Sequence, residues 1–124
     1  MMKTVVLVED NLENADMTIR ILRSAGYEVH HCVRGLEGAK IVRQQKPDVV
    51  LIDFDLPDID GRTLALLLKK QLGADTPPLV AVTARSGVSE MRAAEKLGCS
   101  GFVSKPFMLD ELLGIIGQVL KPGN

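Results

Sequence analysis

The sequence predicts a doubly wound parallel α/β fold, with roughly five strands alternating with roughly five helices that cover both faces of one sheet. Two observations carry this. Short apolar runs recur along the chain, separated by longer segments whose apolar residues return at helical spacing. The run Val49-Val50-Leu51-Ile52 is continuous rather than alternating, which marks a strand buried on both faces, as in a parallel sheet. Right-handed crossovers between such strands place helices on each side.

The first apolar run is Thr4 to Val8, followed at once by Glu9, Asp10 and Asn11. Leu12 to Ala25 reads as a helix, with Ala15, Ile19 and Leu22 on one face and Gly26 as its terminator. Tyr27 to Val33 is a second strand. Its His30-His31 pair suggests a metal site, but adjacent strand residues point to opposite faces, so surface or edge histidines are expected. Gly35 to Gln45 is a second helix, with Ala39 and Val42 inward. Lys46-Pro47-Asp48 turns the chain into the third strand, Val49 to Ile52. Arg62 to Leu72 is a helix with Leu64, Leu67, Leu68 and Leu72 on one face. Thr76-Pro77-Pro78 is a loop before the fourth strand, Leu79 to Val82. A short helix over Val88 to Leu97 has a thin apolar face of Val88, Met91 and Ala94, which implies low local stability. Gly101 to Ser104 is a fifth strand. The last helix, Met108 to Leu120, carries Leu112, Ile115, Ile116, Val119 and Leu120, and Pro122-Gly123 stops it.

The 124 residues suffice for one domain spanning 1–124, and the 46% hydrophobic content supplies its core. A net charge of −1 without a basic stripe argues against nucleic-acid binding. No apolar run approaches the length of a membrane span. Met1-Met2-Lys3-Thr4 lead directly into the first strand, so no signal peptide is expected and a cytoplasmic location is. Cys32 and Cys99 lack metal-ligand spacing and read as free, buried thiols.

The chemistry lies where the strands end. The first strand is followed by Glu9 and Asp10, the third by Asp53, the fourth by Thr83 and the fifth by Lys105. Sites in open α/β sheets form outside the carboxyl ends of the strands. In a flavodoxin-like strand order the first, third and fourth strands are central neighbours, and the carboxylates crowd one cleft. Like charges that close need compensation, and a hard divalent cation with oxygen ligands, Mg²⁺, supplies it. Singly, each residue has a plain reading: Asp53 as a turn residue, Asp10 as a helix cap, Thr83 as a strand residue, Lys105 as a surface charge. Jointly they form a phosphoryl-acceptor site, in which an aspartate is the nucleophile and cations and a hydroxyl neutralise the phosphoryl oxygens.

These pieces resemble the receiver domains of bacterial two-component response regulators over essentially the whole chain. The resemblance rests on Val8-Glu9-Asp10-Asn11, Leu51-Ile52-Asp53 with Leu56-Pro57 and Gly61, Val82-Thr83-Ala84, and Phe102-Val103-Ser104-Lys105-Pro106-Phe107, in this order and spacing. It implies the flavodoxin-like strand order 2-1-3-4-5. It implies that Asp53 accepts a phosphoryl group from a phosphohistidine. It implies that Glu9, Asp10, Asp53 and the backbone carbonyl of Asp55 hold Mg²⁺, and that Thr83 and Lys105 bind the phosphoryl oxygens. It further implies a cis Lys105–Pro106 bond, and a switch in which Thr83 moves, Phe102 turns inward, and the surface of the fourth helix, fifth strand and fifth helix changes. Phe102 also reads simply as a core phenylalanine. The implied partners are a sensor histidine kinase or histidine phosphotransfer protein, docked beside Leu12 to Ala15, and a downstream protein target or an effector domain outside this chain. Such a protein is not an enzyme acting on other substrates; it assists only its own phosphorylation and dephosphorylation.

Asp55 and Arg85 each lie two positions beyond a site residue and carry charges that could pair across the rim. An alternative reading takes Asp53-Phe54-Asp55 as the Asp-x-Asp of a haloacid-dehalogenase-like phosphohydrolase. That motif normally ends the first strand, whereas here the acidic pair does. A flavin module on the same fold would need a phosphate cradle where Glu9-Asp10-Asn11 stands, and these acids would repel the phosphate.

Overall fold

The computed structural model describes residues 2–85 and 87–121. Strands β1 (Thr4–Val8), β2 (Glu28–Cys32), β3 (Val49–Asp53), β4 (Leu79–Thr83) and β5 (Gly101–Ser104) form one parallel sheet in the order β2-β1-β3-β4-β5. Helices α1 (Leu12–Ser24), α2 (Gly35–Gln45), α3 (Gly61–Leu72), α4 (Val88–Lys96) and α5 (Leu109–Val119) connect and follow the strands, with a 3₁₀ turn at Gly73–Asp75.

Alternation along the strands builds two cores. Val6, Val8, Val50, Ile52, Leu79 and Ala81 face α2, α3 and α4 through Ala39, Val42, Leu64, Leu68 and Ala94. Val5, Leu7, Val49, Leu51, Val80 and Val82 face α1 and α5 through Ala15, Leu22, Leu112 and Ile116. The central strand β3 is buried along its whole length, which is why its sequence shows no polar alternation.

Several boundaries differ from the sequence reading for local reasons. Tyr27 belongs to the turn after α1, because its N–H donates to the Leu22 carbonyl (3.1 Å), so β2 is shorter than expected. Asp53 stays in the ladder opposite Val82, and Thr83 opposite Ser104. Both site residues are therefore held by strand geometry. The cap of α1 is Asn11, not Asp10: its Oδ1 accepts from the Asn14 N–H at 2.9 Å, leaving the Asp10 carboxylate free of that task. Met108 caps α5 instead of starting it, and its N–H donates to Glu111 Oε1 (3.1 Å). The expected inner face of α4 is thinner still. Only Ala94 is buried, while Val88 and Met91 are 58% and 40% exposed.

Two loop devices position the rim beyond β3. Asp58 accepts from the N–H groups of Gly35 (2.8 Å) and Leu36 (3.1 Å), capping α2, whose preceding Arg34 offers no acceptor. Gly61 opens α3 directly against β3. A Cβ there would sit 2.5 Å from the Asp53 carbonyl oxygen and from Phe54 Cα, so only glycine allows this approach.

Candidate functional site

Glu9, Asp53, Thr83 and Lys105 meet at the carboxyl edge of the sheet, at the ends of β1, β3, β4 and β5. Glu9 and Asp53 are only 3% and 4% exposed, and Thr83 is fully buried. Asp10 is exposed. Residues 9 and 10 would diverge if β1 continued, but the strand ends at Val8. One carboxylate oxygen from each of Glu9, Asp10 and Asp53 therefore falls within 4.8 Å of the others.

Lys105 Nζ lies 2.8 Å from Glu9 Oε1 and 3.3 Å from Asp53 Oδ2. The other Asp53 oxygen accepts from the Asp55 N–H at 2.9 Å, and the other Glu9 oxygen from the Asn11 N–H at 3.2 Å. Thr83 Oγ1 accepts from the Arg85 N–H at 3.1 Å, which leaves the hydroxyl proton free to donate elsewhere. The Lys105–Pro106 bond is cis. Phe102, half-buried on β5, packs against the core facing α2, α3 and α4.

Lys105 faces two buried carboxylates, Glu9 and Asp53, with the exposed Asp10 beside them, and this imbalance shows in the protonation of Glu9. Burial pushes the Glu9 carboxyl up to about 7, the neighbouring Asp53 adds to the rise, and Lys105 opposes it. For Lys105, burial disfavours the charge, but the hydrogen bond to Glu9 and the charges of Asp53 and Glu9 outweigh it and raise its pKa. A compact all-oxygen donor set short of positive charge fits a hard divalent cation such as Mg²⁺.

The same imbalance sets an expected pH dependence. A carboxyl whose pKa is higher folded than unfolded binds its proton more tightly in the folded state. Stability is then greatest below the unfolded value of 4.5 and declines as pH rises toward about 7. The full loss from this carboxyl is up to about 3 kcal/mol. Urea unfolding of the metal-free protein between pH 5 and 8 checks this. A flat profile, or stability that grows with pH, contradicts it.

The sequence expectation of an Asp55–Arg85 pair is not met. Both residues are exposed, and among the described residues no ion pair joins them. Two side chains make contacts that the sequence pattern does not assign, Arg62 and His31, the latter expected only as a surface or edge histidine. His31 is half-buried at the end of edge strand β2, and its Nε2 lies 2.8 Å from the Glu9 carbonyl oxygen, so that nitrogen carries the proton and donates. Only the parallel register of β1 and β2 brings it there. Arg62, at the start of α3, packs over the ring of Phe54, the residue after Asp53. Cys32 and Cys99 are buried, as expected. Burial pushes both thiols up to about 11, which keeps them protonated.

A family model described as the response regulator receiver domain matches residues 5–117. The polar-differentiation response regulator DivK of Brucella anthropi is 30% identical over 120 residues, covering 97% of this chain and 98% of that protein. A hybrid signal transduction histidine kinase of Dictyostelium discoideum is 33% identical over 117 residues. That match covers 92% of this chain, which spans only 3% of the kinase. Among solved structures, the receiver domain of the sensor histidine kinase PA1611 from Pseudomonas aeruginosa has a TM-score of 0.87 at 28% identity, covering 97% of this chain and 98% of that one. It is described with a magnesium ion coordinated in its active-site cleft. No described helix is long and apolar enough to cross a membrane. With the sheet order, the rim and these matches in agreement, the chain belongs to the response regulator receiver domain family of two-component signalling.

Proposed function

We propose that this chain is the phosphoryl-accepting switch of a two-component phosphorelay, modified on Asp53 by a phosphohistidine donor. The observation that carries the reading is the placement of Asp53. Its buried carboxylate is held at the end of the central strand, with one oxygen toward Lys105 and the acids of Glu9 and Asp10 beside it.

Glu9, Asp10, Asp53 and the backbone carbonyl of Asp55 are the proposed Mg²⁺ ligands. Bound there, the metal supplies charge neutralisation for the transferring group. An oxygen of Asp53 attacks the phosphorus, the phosphorus–nitrogen bond of the donor breaks, and its electron pair stays on the imidazole, which takes up a proton. Lys105 and the free proton of Thr83 then donate to phosphoryl oxygens. Thr83 moves toward the new group, Phe102 turns inward behind it, and the surface of α4, β5 and α5 changes for a downstream target. This is a signalling role and not turnover of an external substrate.

A cavity of about 290 Å³ opens beside Glu9 and Lys105, lined by Met17, Thr18, Ala84, Pro106 and Phe107 among others. Its apolar lining, with exposed Leu12 nearby in sequence on α1, suits a histidine kinase or phosphotransfer partner. Nothing in the charge balance favours nucleic acid as a partner of this domain. The phosphohydrolase alternative gains no support, because Asp55 is exposed and the acids clustered with Asp53 come from the end of β1.

Incubation with Mg²⁺ and a small-molecule phosphodonor, read by intact mass, tests the reading. One phosphoryl group should be added, and chelating the metal should prevent it. Modification at the same rate without Mg²⁺, or steady turnover of a phosphate ester, would overturn it.

A further inference from the structure

We propose that Arg62 tethers the first turn of α4 to the residue that follows Asp53, and that release of this tether frees α4 when Asp53 is modified. The second half rests on the proposed function; the first does not.

The two ends of α4 are held very differently. At the C-terminal end Ala94 is buried, Leu97 packs against the same core, and the Cys99 N–H donates to the Ala94 carbonyl at 3.0 Å. At the N-terminal end the capping residue is Gly87, with no side-chain cap. Its φ of 111° is a conformation that favours glycine, and no atom lies within 4 Å of where a Cβ would be. Val88 and Met91 face solvent. In that turn, Glu90 alone of the acidic and apolar side chains is partly buried, and its Oε2 lies 3.7 Å from Arg62 Nη2.

Arg62 is itself fixed on the α3 side. Its Nη1 lies 3.3 Å from Asp60 Oδ1, and its Cζ lies 4.8 Å from the centroid of the Phe54 ring. Phe54 is buried, and its N–H and carbonyl are bonded to Val82 and Gly61, so the ring is a rigid platform. Nη2 is buried and makes no hydrogen bond. A buried donor left unmade is costly, and Glu90 is the acid aimed at it, short of hydrogen-bond distance. The pair is therefore sensitive to a small shift of α4 in either direction. The helix is pinned at its C-terminal end, capped at Gly87 without a side-chain hydrogen bond, and held at its first turn, among the described residues, by one charge pair. Arg62 acts through Glu90 and Phe54, and is a positioning residue.

Amide hydrogen exchange over Met91 to Ala94 tests both halves. In the unmodified protein, Glu90→Gln and Arg62→Met should each speed exchange there about threefold to fivefold, leaving α1 and α2 unchanged. The double variant should match the single ones, because one interaction is lost once. High salt should speed exchange in the wild type but not in the variants. Unchanged exchange in Glu90→Gln, or effects that add in the double variant, overturns the tether. Wild type treated with Mg²⁺ and the phosphodonor should then exchange as fast over this stretch as unmodified Glu90→Gln. Modified protein that still exchanges slowly overturns the coupling. If no modification occurs, the proposed function fails and the coupling with it, while the tether is still decided by the unmodified proteins.

Discussion

Asp53→Asn is expected to abolish phosphoryl uptake while leaving the fold intact. An amide oxygen is a poor nucleophile, yet it still accepts the Asp55 N–H that Asp53 Oδ1 accepts at 2.9 Å. The asparagine fits the same buried volume, so β3 should pair with β1 and β4 as before. Intact mass after incubation with Mg²⁺ and a phosphodonor is the measurement, with urea unfolding as the control for structure. The expected result is no added phosphoryl group in the variant and one in the wild type. A normal mass gain in Asp53→Asn moves the acceptor to another residue, and the neighbouring acids Glu9 and Asp10 are then the first to check by peptide mapping. Partial gain, at any rate near that of wild type, counts against Asp53 equally.

Lys105→Met is expected to be the most destabilising change at the rim. The ammonium is the charge that lies between Glu9 Oε1 (2.8 Å) and Asp53 Oδ2 (3.3 Å). Methionine keeps much of the side chain's length and removes the charge, leaving two buried carboxylates without their partner. Breaking a buried pair on one side typically costs about 3–5 kcal/mol. Lys105 is partly solvated, so a loss of about 2 kcal/mol at pH 8 is the reasonable scale. The loss should shrink at pH 5, where Glu9, already pushed up to about 7, is protonated. It should also shrink with added Mg²⁺ if the carboxylates bind it. Urea unfolding at the two pH values, with and without the metal, separates charge from packing. Equal losses under all conditions would mean that Lys105 matters only for the contacts of its alkyl chain.

The two results bear on different parts of the site. In the proposed reading Asp53 carries the covalent step, whereas Lys105 lies between Glu9 and Asp53 before any phosphoryl group arrives. A variant series that separates them shows whether the rim is assembled for stability or for chemistry. A decline of metal-free stability with rising pH, the outcome expected from the raised Glu9 carboxyl, would argue for chemistry. A buried carboxyl held near Asp53 costs folding free energy once ionised, and such a cost is retained at functional sites more often than elsewhere.

Much of this was legible in the chain itself. The continuous run Val49 to Ile52 required a strand covered on both faces, and helical spacing in the segment Met108 to Leu120 required an apolar stripe. Both patterns follow from burial, which the backbone period converts into sequence. The site was legible because parallel strands all end at one edge, so residues far apart in sequence are brought to one rim by topology alone. That argument needed no distances to name Glu9, Asp10, Asp53, Thr83 and Lys105 together.

What the sequence could not determine are the contacts set by register and by the angles between elements. Asp10 and Asn11 are equally good helix caps by residue type, and only the backbone path after Val8 makes Asn11 the cap and turns Asp10 toward Asp53. His31 looks like any edge histidine until β2 pairs with β1 and sets its ring on the Glu9 carbonyl. Asp55 and Arg85 carry opposite charges at matching offsets, yet they do not meet, because each follows its own strand into a separate loop. Arg62 and Glu90 sit on helices whose spacing no local pattern encodes, and they do meet. The physical reason is the same in each case. Periodicity and composition report how deeply a residue is buried, which is an average over its surroundings, whereas a hydrogen bond or an ion pair depends on the placement of two particular side chains within an ångström, which only the packed sheet and helices decide.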